Sequence, residues 1–144
     1  MVRRAAALAL LAAFCLPGGA AAQVFGLQDL SGEELFERFC AACHGTEARG
    51  DGPVAQSLNV AVPDLTRLAE RRGGRFPAHE VRETIDGRSL VRAHGTRTMP
   101  VWGYELWMEQ GGDVTAEADA RSLIGRLVRY LESIQVVADP ALPR

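Results

Sequence analysis

The chain of 144 residues contains no lysine: each of its 16 basic residues is an arginine, and these are scattered among 18 acidic ones to leave a formal charge of −2. With no basic stripe, nucleic acid is not an expected partner. Cysteine is scarce as well, at three, too few for the disulfide framework of a small exported domain. No nucleophilic triad, phosphate-binding glycine loop or acid–base pair of carboxylates stands out. The longest apolar run, Ala5 to Leu16, falls short of the roughly 20 residues that cross a bilayer, so no stable membrane anchor is expected. What is present is ordinary for one globular domain, with 47% hydrophobic and 24% charged residues.

The first 22 residues read as a leader outside the fold. Arg3 and Arg4 precede the apolar run, and Pro17 to Ala22 supply a helix break and small residues ending in Ala-Ala-Ala before Gln23. This is the layout of a cleaved secretory signal peptide, residues 1–22, ahead of a domain over 23–144 with its core at about 31–135. Export to the periplasm is the expectation. Cleavage removes Cys15, so the exported chain keeps two cysteines, Cys40 and Cys43, next to His44.

Cys40-Ala41-Ala42-Cys43-His44 is the c-type haem attachment pattern: two thiols add to the two haem vinyl groups and the following histidine becomes an iron ligand. Two intervening residues set the sulfurs about one helical turn apart, and the small Ala41 and Ala42 let backbone approach the ring. The expected cofactor is one covalent haem c. A thioredoxin-like redox pair shares the spacing but requires a βαβ context that the sequence lacks. A zinc site requires further ligands at finger-like spacing, and His79 and His94 stand isolated.

Around this motif the pattern is helical. Ser31 with Glu34 forms a capping box ahead of Leu35, Phe36 and Phe39. Pro77 to Asp86 reads as a helix with Val81 and Ile85 on one face and Gly87 as its stop. Thr115, Glu117 and Asp119 suit a helix start, and Leu123, Leu127, Tyr130, Leu131 and Ile134 recur at helical spacing. Arg126 and Arg129 lie where the macrodipole favours cations. Gly45 to Pro53 and Gly95 to Gly103 are glycine- and proline-rich and read as loops.

With these residues in place the chain resembles the class I monohaem cytochromes c over roughly residues 31–135. That family crosses its first and last helices beside the haem using a glycine and an aromatic residue on the first, and a leucine with an aromatic residue three positions later on the last. Gly32, Phe36, Leu127 and Tyr130 match those intervals, and Phe36 stands four before Cys40. The resemblance implies an all-α fold, helices and long loops wrapped around one covalently bound haem. It also implies that a proline after the first loop, matched to Pro53, offers its carbonyl to the ligand histidine. Val54 and Leu58 are then expected near the ring. Met99-Pro100-Val101-Trp102-Gly103 resembles the family's methionine loop, which makes Met99 the candidate sixth ligand. Met108, His79 and His94 are its rivals, with Met108 read as core filler. Trp102 is expected against the ring or a propionate, and Arg75, Arg88, Arg92 and Arg97 flank the loops where a propionate needs a cation.

With histidine and methionine on the iron, no coordination position is open to substrate, so the expected role is carrying single electrons by Fe(II)/Fe(III) cycling between a redox protein donor and a redox protein acceptor, without enzymatic activity. Two alternatives stay open: a haem enzyme or gas sensor with a labile sixth ligand, and an electron-transfer subunit of a larger periplasmic complex.

Overall fold

The structure, a computed structural model, describes residues 26–88 and 99–136. Among them every regular element is helical, in agreement with the all-α expectation: α1 (Gly32–Phe39), α2 (Ala41–His44), α3 (Ala78–Asp86), α4 (Trp102–Glu109) and α5 (Val114–Ser133). Short 3₁₀ turns at Leu27–Asp29, Ala55–Ser57, Leu65–Arg67 and Glu70–Arg72 carry the chain between them. No helix of the described residues is long and apolar enough to cross a membrane.

The helix limits have local causes. At α1 the capping box forms as expected, with Ser31 N donating to Glu34 Oε2 at 2.7 Å and Glu34 N to Ser31 Oγ at 3.2 Å. α3 ends where Gly87 takes a left-handed conformation, φ 71°. α5 starts earlier than the Thr115 region suggests: its N-cap is Asp113, whose Oδ1 accepts from Thr115 N at 2.8 Å and Ala116 N at 2.9 Å. The segment expected to be loop through Gly103 is already helical at Trp102.

α5 is the axis of the fold, and α1, α3 and α4 each pack against it. Leu123, Ile124, Leu127, Val128 and Leu131 are buried along its inner face, against Leu35 and Phe36 of α1, Val81 and Ile85 of α3 and Leu106 of α4. This face is the i, i+3/i+4 pattern legible in the sequence. At the α1–α5 crossing the backbones nearly touch: a Cβ on Gly32 would lie 2.9 Å from Tyr130 Cβ and closer still to the carbonyl oxygen of Arg126. Only glycine fits, and the Phe36 and Tyr130 rings close the crossing with centroids 5.3 Å apart.

Arg126 does more than complement a dipole. Its Nη1 donates to the carbonyls of Gln28 and Leu30, both at 2.7 Å, and its Nη2 to Gln28 Oε1 at 2.9 Å. These bonds pin the segment that leads into α1. Two of them are side-chain to backbone contacts across 96 and 98 positions, which no local pattern announces.

Candidate functional site

Cys40 closes α1 and opens α2, a single turn that ends at His44. Phe39, Cys40, Cys43 and His44 thereby face one apolar cleft of about 420 Å³, within the range of small-molecule sites. Met99, Pro100 and Trp102 also line it, as do Val81 and Ile85 of α3 and Leu131 of α5. Trp102 packs on Phe39 with ring centroids 5.6 Å apart, joining the start of α4 to the end of α1. Five of the sequence candidates, Cys40, Cys43, His44, Met99 and Trp102, thus line one space. Pro53 is not among them.

Pro53 is exposed; the proline that lines the cleft and whose carbonyl acts on the His44 ring is Pro63. The expectation for Pro53 is corrected here, and the reason lies in the path of the chain after α2. Gly45 ends α2 with φ 77°, and Gly50 N donates to the His44 carbonyl at 2.8 Å. Gly52 then lies flat against the turn, where a Cβ would come within 2.6 Å of the Ala41 carbonyl oxygen. Val54 N donates to the Ala42 carbonyl at 3.0 Å. These bonds hold Pro53 on the outer side of α2. Ten residues later the chain returns, with Leu65 N donating to the Ala48 carbonyl at 2.7 Å, and brings Pro63 to the ring. Leu58 lines the cleft as expected, whereas Val54 is exposed and does not.

The electrostatics of the motif suit attachment of a large apolar ligand. Both cysteines are free. Burial, helped by the neighbouring Cys43, pushes the Cys40 thiol up to about 12. A disulfide oxidoreductase needs the reverse, a thiol lowered toward thiolate, and the described residues contain no strand to provide its βαβ setting. Burial lowers the His44 imidazole below its ordinary value, and the Pro63 carbonyl opposes that shift. His44 is therefore neutral at pH 7 and able to donate to a metal. Its Nδ1 is buried and makes no hydrogen bond within normal limits, so the Pro63 carbonyl lies near the ring without completing the bond. A buried imidazole with one nitrogen turned to a backbone acceptor has its other nitrogen, Nε2, for a metal.

Among the remaining candidates, Met99 is partly buried and packs on the core, whereas Met108 is 50% exposed on α4 and does not line the cleft. Met108 is therefore not the core filler expected. His79 is exposed, and His94, Arg92 and Arg97 lie outside the described residues. Arg75 is exposed and Arg88 is engaged with Asp86 and Glu117. The arginines that do reach the cleft are Arg71 and Arg72, beside Glu80. Arg71 Nη2 donates to the Asp64 carbonyl at 2.7 Å, and Arg72 pairs with Glu80. Sequence reasoning missed these two and the Val60-Ala61-Val62-Pro63 run that forms the adjacent wall. Its signal was the one apolar, proline-ended stretch between Ser57 and Asp64.

A protein-family model described as Cytochrome c matches residues 30–116, more than half of the chain. No curated protein and no solved structure matches it.

Proposed function

Since the chain belongs to the cytochrome c family of haem-binding electron-transfer proteins, we propose that it is an exported monohaem carrier of single electrons with His44 and Met99 as the two protein ligands of its iron. The observation that carries this reading is the shared cleft. Cys40, Cys43, His44 and Met99 all line it, together with Phe39, Ile85, Trp102 and Leu131.

Each residue has a distinct task. Cys40 and Cys43 hold the ring by thioether bonds. His44 offers a neutral nitrogen, and the Pro63 carbonyl beside its ring is placed to orient it and raise its donor strength once the bond to Nδ1 closes. Met99 offers a soft, neutral thioether that favours ferrous iron, held in place by Pro100 and the start of α4. The apolar wall keeps water from the iron and so raises the cost of the extra charge on the ferric state. Haem, when bound, supplies the one-electron ferrous–ferric couple. Were His44 and Met99 both to hold the iron, no position would be left for a substrate, which favours a carrier over a haem enzyme or gas sensor. Redox proteins are its donor and acceptor, and the leader pattern of residues 1–22 supports export to the periplasm.

Substitution at the two described methionines tests the ligand set. Met99→Ala is expected to abolish the weak long-wavelength charge-transfer band of the oxidised protein and to lower its potential, while Met108→Ala leaves both unchanged. Loss of the band in Met108→Ala with its retention in Met99→Ala would overturn the assignment.

A further inference from the structure

Arg88 makes a double fork. Its Nε and Nη2 donate to Asp86 Oδ1 and Oδ2 at 2.7 and 2.8 Å, and its Nη1 and Nη2 donate to Glu117 Oε2 and Oε1 at 2.6 and 3.2 Å. The side chains of Arg88, Asp86 and Glu117 are 31, 20 and 30% exposed. The fork is therefore screened less than the fully surface pairs of the molecule, such as Arg49 with Glu47. Arg121, one turn along α5, adds a bond from its Nε to Glu117 Oε1 at 2.9 Å.

The partners belong to different elements. Asp86 is the last residue of α3, Arg88 lies two residues beyond it, and Glu117 is in the first turn of α5. The fourth participant is α4, whose second residue is Gly103: a Cβ there would lie 2.7 Å from Arg88 Nε and 2.8 Å from Asp86 Cγ. α4 has no side-chain cap of its own, since its N-cap position is Val101. The Asp86 carboxylate thus stands at the positive end of an uncapped helix, with the absence of a side chain at Gly103 giving it room. Met99 is four residues before Gly103, and Pro100 stiffens the link between them.

We infer that the Asp86–Arg88–Glu117 network is a positioning device that holds the Met99 segment against the cleft, and so sets how readily the sixth coordination position opens to an external ligand. This rests on the reading of Met99 as sixth ligand. The Arg88 bonds tie the end of α3, just before residue 89, to the first turn of α5, and the start of α4, just after Met99, rests against the same group at Gly103. Its arginine must be an arginine, because one planar group engages two carboxylates and lysine has no such fork.

The test uses ferric holoprotein and measures the rate of cyanide binding together with the intensity of the long-wavelength band. Arg88→Gln is expected to accelerate binding by about tenfold or more, as loss of a charge-assisted hydrogen bond in a locally opening segment would give. Glu117→Gln, which removes one arm of the fork and is the gentler change should Arg88→Gln fold poorly, is expected to accelerate it less, and Arg88→Lys falls between parent and Arg88→Gln. Arg121→Gln leaves the fork intact and should bind at the parent rate. Phe36→Leu lowers global stability at the α1–α5 crossing, where it packs on Tyr130 more than three turns along α5 from Glu117, and should also leave the rate unchanged. Parent rates in both Arg88→Gln and Glu117→Gln, with fast binding in Met99→Ala, would overturn the inference while the ligand reading stands. Equal acceleration by Phe36→Leu would also overturn it, since global stability would then be the cause. A parent rate and band in Met99→Ala would instead sink the ligand reading and take this inference with it.

Discussion

The crossing of α1 with α5 and the irregular wall of the cleft are built on different terms. At the crossing, Phe36, Leu35, Leu123 and Leu127 are all but inaccessible, and their partners are other side chains of the same chain. Along the wall, between Ala55 and Arg72, the backbone runs through 3₁₀ turns, Leu58, Leu65 and Leu68 are only half-buried, and Val60 is 41% exposed. All four line the cleft, and of them Leu65 and Leu68 also pack on the core. The frame is thus complete in protein atoms, whereas the wall is completed by the haem that this family carries. Stability should follow that division, with the frame sensitive to packing and the wall sensitive to the cofactor.

The largest effect expected is on the wall. Replacing both Cys40 and Cys43 by Ala removes covalent haem, and the long stretches on either side of the cleft then have too little core of their own. Circular dichroism of the double variant should show a largely disordered chain; a stable apoprotein with native-like helix content would break the comparison.

The frame responds to truncation next. Tyr130→Ala should cost up to about 3 kcal/mol, the low end for aromatic truncations because the ring is only partly buried, and Gly32→Ala should cost a comparable amount of up to about 3 kcal/mol, because its new Cβ meets a backbone carbonyl that cannot move aside. Denaturant unfolding measures both, and neither should alter the iron-ligand spectrum. Arg126→Gln, which releases the carbonyls of Gln28 and Leu30, should cost about 2 kcal/mol, within the span for hydrogen bonds to charged groups.

The smallest effect is in pH. Hydrogen bonds from Arg88 hold the Asp86 and Glu117 carboxyls below their ordinary values, and Arg121 acts in the same direction. Folded values lie below unfolded ones, so this stabilisation is fully present above the ordinary carboxylate range of about 4 and is lost as pH falls through the lowered folded values. Arg88, raised above its ordinary value by the two carboxylates, stays charged throughout. Melting temperature should therefore drop more steeply below pH 4 in the parent than in Arg88→Gln, and parallel curves would show that the network adds nothing to stability.

The same division explains what could be read from the sequence. Ser31 with Glu34, the periodic face from Leu123 to Leu131, and Gly87 after α3 are local signals, because helix geometry ties cause and effect within four residues. The Cys40–His44 motif is local for the same reason, fitted to one turn of helix. Pro63 was not legible: its place depends on Gly52 lying against α2 and on the Leu65–Ala48 bond, which decide where the chain returns. Arg126 was legible only as a charge near a helix end, since its partners are nearly a hundred residues away. Asp113 and Thr115 are not separable in the sequence because either residue type caps a helix, and the geometry selects the one whose oxygen faces two amides.

We propose a chain that holds its iron between two protein donors and only passes electrons. Exposing the reduced, purified wild-type holoprotein to carbon monoxide tests it most directly. A ferrous spectrum that stays unchanged, with the Met99→Ala protein shifting at once under the same gas, is the result predicted; an immediate shift in the wild type would contradict the closed site and place the protein among haem enzymes or gas sensors.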